Sequence, residues 1–458
     1  MTLKRPPILA LVLLTFFALL GFGIALQSTS VLIRSNGTIV TTSPLRYICG
    51  NYNSTHYYAQ NIATGQYERI STNAAQTISY ALGKLTLGRT GQETVLLKGD
   101  FLIGTTITLN QGNVLLDCRQ ATLTLTTSTI LFDISDGSHY TVLGGHCIGP
   151  NTGSATALEI TNCANVLVDG IDIEGFTGNF NGIILGGYGA SGMTIQNCTL
   201  HDNAGSGGIT IVNTGYGYTK IINCSIGNPA QGIFIGAHCP SNQILGCEFY
   251  GWNVAFGHAI YLDGSGSTDE GNNIVSGNIF HDGVNGAGLH IKCHNNSIHD
   301  NTFYNFSNTN TVPFSIYSQY SPSTANDNDI FNNTLTDCIY GMWVGNNPAT
   351  YPTLRNKIHD NTFNRVTKCI MLNPWDGSTK TVEDTWIYYN TFRSCSNIFP
   401  LSESPANLIK NTVVAYNDFG GTVTDLSIES YVNTMVYGNV GMADFNVPSP
   451  LPIPPRTS

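Results

Sequence analysis

The sequence predicts an all-β solenoid, one chain wound through about 13 rungs of short stacked strands behind an N-terminal capping helix. Three observations predict it. A short pattern recurs at intervals of 22 to 32 residues: an aliphatic residue, two variable residues, a fixed position, one variable residue and a large apolar residue. Apolar residues alternate inside each copy, which is the period of a strand rather than of a helix. Gly, Asn and Thr crowd the segments between, so strand cores stay constant while loops absorb the variation in length.

The elements follow in chain order. Lys4 and Arg5 precede an uncharged apolar run over residues 8–26, on the border between a signal peptide and a membrane anchor. Either reading makes residues 1–29 an address that exports the rest, leaving it secreted or tethered outside the membrane, and confines membrane contact to this segment. Residues 30–94 form an N-terminal segment in which 73–84, NAAQTISYALGK, reads as the short amphipathic capping helix. The solenoid occupies 95–445, and 446–458 is a Pro-rich tail. The chain holds 19 Lys+Arg against 29 Asp+Glu, a net charge of −10, so it has no basic field for a nucleic-acid backbone.

In the repeat, the aliphatic position reads Val168, Ile195, Ile221, Ile244, Val275, Ile298, Ile330, Ile358, Ile387, Val414 and Val436. Three residues later stand Ile171, Cys198, Cys224, Cys247 and then seven asparagines, Asn278, Asn301, Asn333, Asn361, Asn390, Asn417 and Asn439. Seven successive amides at one turn position predict an internal ladder, each bonding to the rungs on either side. Cys198, Cys224 and Cys247 belong to the same column; rung spacing admits a bridge but parallel side chains aim poorly for one, and the redox state of the 12 cysteines stays open.

With these columns, the chain resembles the right-handed parallel β-helix superfamily, the pectate-lyase-like fold, over roughly residues 95–440. The resemblance implies a helix capping the open core. It implies little about chemistry, because the fold hosts lyases, hydrolases, epimerases, adhesins and phage spikes.

A second strand precedes each aliphatic position, and its outward residues read Ile184, Thr210, Phe234, Tyr261, His290, Ser315, Trp343 and Met371. Two residues on, the outward set is Val212, Gly236, Asp263, Lys292, Tyr317, Gly345 and Asn373. Ionisable and aromatic groups thus gather between 258 and 343. Loop lengths point to the same place: 7 residues separate Ile291 from the next aliphatic position, against 13 after Leu262 and 14 after Ile316. A short loop between long neighbours predicts a cleft with walls at 263–274 and 317–329.

Lys292, His290, Tyr261 and Asp263 are the candidate catalytic residues. A cation to offset a uronate carboxylate, with a base near the C5 proton, is what β-elimination requires, and Tyr261 or His290 would protonate the leaving oxygen. His258, Phe234, Tyr317, Trp343 and Trp375 are the candidate substrate-binding residues, the aromatics as platforms for sugar rings. Gly257-His258-Ala259 with Leu289-His290-Ile291-Lys292 resembles the polygalacturonase family's Gly-His-Gly and Arg-Ile-Lys motifs, which would make His258 a support and Lys292 a carboxylate binder. His290 and Ala259 depart from those motifs, and QGIFIGAH (231–238) holds no acid, so hydrolysis between paired carboxylates is disfavoured and a glycoside hydrolase ranks behind a lyase.

No metal site or cofactor is predicted, with calcium left open. Asp263, Asp269 and Glu270 share one loop rich in the oxygen donors that calcium takes, without the spacing of a known calcium loop, and the histidines show no zinc-ligand pattern. The expected partner is a polysaccharide or surface glycan, bound and cleaved by elimination; the alternative is a non-catalytic surface or adhesion rod.

Overall fold

The computed structural model describes residues 43–447 and the backbone at 32–33 and 39–40, apart from segments 179–181, 188–190, 206–207, 213–217, 228–229, 237, 255–256, 265–270, 319–323, 347–350, 375–380, 401–407 and 422–430. The apolar run at 8–26 and residues 448–458 of the Pro-rich tail lie outside the described residues. Among the described residues no helix is long and apolar enough to cross a membrane.

The chain is a right-handed parallel β-helix. The regular repeat makes about 11 turns, two fewer than the spacing predicts; upstream rungs are built from unbroken strands of 12 and 14 residues, Val114–Leu125, Ile130–Leu143 and Thr156–Asp169. Three faces run the length of the solenoid. The first contains Gln231–Ile235, His258–Leu262, Gly286–Ile291 and Thr311–Ser318; the second contains Gln243–Leu245, Ile274–Ser276 and Ser297–His299; the third contains Glu248–Tyr250, Ile279–His281 and Thr302–Phe306.

Alternation drives the winding, because each strand turns its aliphatic residues inward to one core that runs along the axis. The predicted columns stack in register: Val168 on Ile195, Ile195 on Ile221, and so on to Val414 on Val436. The large apolar column stacks ring on ring, with Phe249, Phe280 and Phe303 centroids 4.9 and 4.4 Å apart. The helix is Ala74–Gly83, capped by the Asn73 side chain, which accepts from the Gln76 N–H at 3.0 Å. It buries Ala74, Ala75, Ile78, Ala81 and Leu82 against the first rung, closing the end of the core as expected.

The asparagine ladder is present and fully bonded. The Asn301 amide oxygen accepts from the Asn278 backbone N–H at 3.0 Å and side-chain N–H at 2.9 Å, and the same pair of bonds repeats at Asn333, Asn361, Asn390, Asn417 and Asn439. A second ladder runs beside it through Asn242, Asn273, Asn296, Asn328 and Asn356, two residues before the aliphatic position. Its continuation, Thr385, Thr412 and Thr434, is buried with each hydroxyl unpartnered. The sulfur column of Cys198, Cys224 and Cys247 forms no disulfide and passes into the amide column where the Cys247 N–H donates to Asn278 at 2.8 Å.

Candidate functional site

The two outward columns of the first face fall where alternation places them. Phe234 pairs with Tyr261, Tyr261 with His290, His290 with Ser315, Ser315 with Trp343 and Trp343 with Met371. The backbone allows close stacking here because Gly257 and Gly286 carry no side chain. Gly286 holds φ at 79°, and a Cβ on it would strike the Gly257 carbonyl.

Outward does not mean solvated. Lys292 and Tyr317 are each 8% exposed and Ser315 9%, against the expectation of a face open to water. Rings stacked along the column account for this. His258 lies flat on His290, with centroids 4.5 Å apart and planes at 6°, while Tyr261 and Tyr317 flank the same imidazole at 5.1 and 6.1 Å. Phe234 meets Tyr261 edge-on at 5.3 Å, so these two rings form a corner instead of a flat platform.

Lys292, Tyr261 and Asp263 form a relay. The Lys292 ammonium donates to the Tyr261 hydroxyl, which donates to Asp263 Oδ1 at 3.2 Å; the same carboxylate oxygen accepts from the Gly264 N–H at 3.0 Å. Lys292 also sits over the Tyr261 ring, 4.7 Å from its centroid. Asp263 and Lys292 are thus linked through a phenol, where the register alone predicts a simple ion pair.

Burial sets the charge states. It pulls the Lys292 pKa down, with the Asp263 charge opposing. It pushes His258 down to about 3, with Lys292 adding to the effect, and the Ala287 N–H donating to its Nδ1 at 3.2 Å is the bond a neutral imidazole accepts. His290 falls well below the ordinary histidine value through burial first, then through His258 and Lys292. Its Nδ1 is shielded from solvent and has no hydrogen-bond partner. The site is therefore a pair of neutral imidazoles against one shielded cation, a shape that favours an incoming polar or anionic group.

Trp343 stands apart from this cluster, two positions along the column from His290. Its indole N–H donates to the Asn373 carbonyl at 3.3 Å, and it lines a cavity of about 300 Å³ with Asn310, Tyr340, Lys368 and Met371. Tyr340 and Lys368 were not among the predicted residues; they are paired across adjacent rungs, with the Lys368 ammonium 5.1 Å from the Tyr340 ring centre. The signal was available, since both precede their strand cores by the same offset. Arg355 and Lys357 do not add positive charge to this face: Arg355 is held by Asp327 at 2.6 and 2.7 Å, and Lys357 belongs to the second face. Trp375, Asp269 and Glu270 lie outside the described residues, and with the last two the body of the oxygen-rich loop.

Neither a scan of family models nor a search of curated proteins finds a match for this chain. Solved structures do resemble it. The A-module of the mannuronan C-5 epimerase AlgE6 of Azotobacter vinelandii matches at a TM-score of 0.59 with 13% identity, over 81% of this chain and 95% of that one. A surface adhesin of Streptococcus pneumoniae, PfbA, matches at 0.51 with 15% identity, over 71% and 90%. The catalytic domain of a GH87 α-1,3-glucanase, solved with tetrasaccharides, matches at 0.52 with 13% identity, over 81% and 67%. At these identities the likeness establishes the fold.

Proposed function

We propose that the chain is an exported protein that binds an acidic polysaccharide along the first face and cleaves it by β-elimination at Lys292, Tyr261 and Asp263. The relay of these three side chains carries the reading. In elimination from a uronic acid a base removes the C5 proton, the freed pair forms the C4–C5 double bond, and the C4–O bond breaks with a proton passing to the leaving oxygen. Asp263 can receive the phenolic proton, and the adjacent ammonium steadies the phenolate, so Tyr261 has what it needs to act as base and then as acid. Lys292 offsets the uronate carboxylate, and its shielding from water strengthens that attraction.

His258 and His290, held neutral, wall the site and leave proton transfer to Tyr261. Phe234, Tyr317 and Trp343 offer ring edges and faces to successive sugars, and Lys368 beside Tyr340 supplies a second cation along the groove. The epimerase and the glucanase among the similar structures act on polysaccharides by their names, which supports a glycan as ligand. The apolar run at 8–26 supports export.

A second reading, a non-catalytic adhesion rod, draws on the shallow access to Lys292 and on the adhesin among the similar structures. One experiment separates the two: the purified chain is incubated with uronic-acid polysaccharides, with and without calcium, and the ultraviolet absorbance of the unsaturated product is followed. A rising signal abolished in Tyr261→Phe and Lys292→Met supports elimination. Glycan binding without product, weakened in Lys292→Met, supports the rod; neither binding nor product overturns the site.

A further inference from the structure

The third face carries a separate cluster on earlier rungs. Alternation turns Asp172 and Glu174 outward from Asp172–Glu174, His146 outward from the strand before it, and His201 outward from the strand after it. Register sets His146 against Asp172 and Glu174 against His201, so two imidazoles bracket two carboxylates diagonally. Asp202 follows in the left-handed region, φ 51°, and that turn aims its carboxylate back at His201 Nδ1, 2.8 Å away.

We propose that Glu174, His201 and Asp202 bind one divalent transition-metal ion of the zinc class, with His146 and Asp172 beside them. Ligand atoms of Glu174, His201 and Asp202 all lie within 4.8 Å of one another. His201 Nδ1 is 2.8 Å from Asp202 Oδ2 and 3.9 Å from Glu174 Oε2, while Asp172 faces the opposite ring nitrogen of His201 and His146 Nε2 lies 3.1 Å from the other Glu174 oxygen, Oε1. Ligands at ~2.0–2.2 Å from a tetrahedral zinc stand ~3.3–3.6 Å apart, a spacing that the 2.8 and 3.9 Å separations around His201 Nδ1 bracket.

Two further observations point to an ion. His146 Nε2 and Asp172 Oδ1 are shielded on side chains that are themselves 38% and 43% exposed, and despite their short distances to Glu174 and His201 neither has a partner in hydrogen-bond geometry. Atoms aimed at one another without a shared proton are arranged as ligands around a common centre are. Three carboxylates also converge here, and among the described residues no lysine or arginine pairs with Asp172 or Glu174. Imidazole nitrogen with carboxylate oxygen suits zinc, cobalt or nickel better than calcium.

The His-Asp dipeptide alone does not make the site. It recurs at His281-Asp282, His299-Asp300 and His359-Asp360, each with the same short contact. At those rungs the imidazole is stacked on aromatic rings: His281 between Tyr250 and Tyr304, His299 on Phe331, His359 between Phe331 and Tyr388. His201 alone among these four meets a second histidine across Asp172 and Glu174.

The test is calorimetric titration of the full chain, stripped by chelator, with zinc chloride and separately with calcium chloride. The expected result is one zinc equivalent, an affinity at least tenfold weaker in His201→Ala and in Glu174→Gln, and no comparable heat from calcium. Cobalt supplies a second readout: a visible ligand-field spectrum without sulfur-to-metal charge transfer excludes the cysteines. Unchanged zinc binding in both variants, a cysteine signature, or no binding by the wild-type chain would overturn the proposal; the last would leave the cluster as histidine–carboxylate ion pairs only.

Discussion

The asparagine ladders and the His258–His290–Lys292 cluster both bury polar side chains in one solenoid, yet they treat them differently. In the ladders each amide oxygen accepts two bonds and each amide nitrogen donates onward, so identical groups on successive rungs complete one another. On the first face, two imidazoles and an ammonium are packed together with a His290 nitrogen that has no partner and pKa values driven down by burial. The comparison teaches how to tell scaffold from site in a repeat protein: a periodic column of amides is self-satisfying, whereas mixed polar burial that breaks the period is retained at a cost to stability.

The largest effect should come from breaking a ladder. Asn333 is fully buried, and Asn333→Ala removes the oxygen that accepts from the Asn301 backbone and side-chain N–H groups and the amide that donates to Asn361 and to the Ile298 carbonyl, so unfolding should become easier by about 4 kcal/mol. Denaturant titration checks this; a loss under about 1 kcal/mol would mean that water or local repacking replaces the amide.

Next is a pH effect specific to the first face. The folded pKa of His258 lies at about 3, below its unfolded value of ~6.5, so its contribution is complete above ~6.5 and is lost as pH falls towards the folded value. The unfolded chain binds the extra proton in that window, at about 1.4 kcal/mol per pH unit for each such histidine. The double variant His258→Phe plus His290→Phe should flatten the wild-type decline between pH 6.5 and 4, measured as the denaturation midpoint against pH, relative to a profile that carboxylates shape in both proteins. Parallel profiles would show that these imidazoles are protonated in the folded chain.

His290→Phe alone at pH 8 is a smaller and more pointed test. The aromatic stack survives and an unpartnered nitrogen is removed, so stability should move by less than about 1 kcal/mol while glycan turnover or binding falls. A large loss of stability would place His290 with the scaffold. The smallest effect is expected at the end of the second ladder, where Thr412→Val removes a hydroxyl that has no partner. It should change stability by no more than about 0.5 kcal/mol in either direction, and a substantial loss would reveal a bonded hydroxyl.

Much of this was legible in the sequence because strand alternation has a rigid period. Once Val168 to Val436 were aligned, every pairing from Phe234 to Met371 followed, and so did the Asn278-to-Asn439 ladder. The second ladder was written equally plainly, two residues before each aliphatic position, but Thr, Asn and a second Thr run share that column and blur it. Depth was not legible. Nothing in the order of residues says that the His258 ring will lie on His290 and shield Lys292, because that depends on side-chain torsions across rungs 29 residues apart. The His146–His201 cluster was missed for a related reason: its members sit on three short strands, and a search by spacing along the chain does not see columns running across it.

The ladders also define the natural unit of change in this chain. From Asp329 to Asn373 successive rungs pair at a constant offset of 28 residues, so excising 334–361 would bring Asn333 onto Asn390 with every column still aligned. Loss of a single residue inside a strand would instead exchange the inner and outer faces of all that follows it in that strand. A gene encoding such a chain can therefore lengthen or shorten the first face by whole coils with little penalty, setting cations such as Lys292 and Lys368 nearer to or farther from one another while leaving each coil's interior untouched.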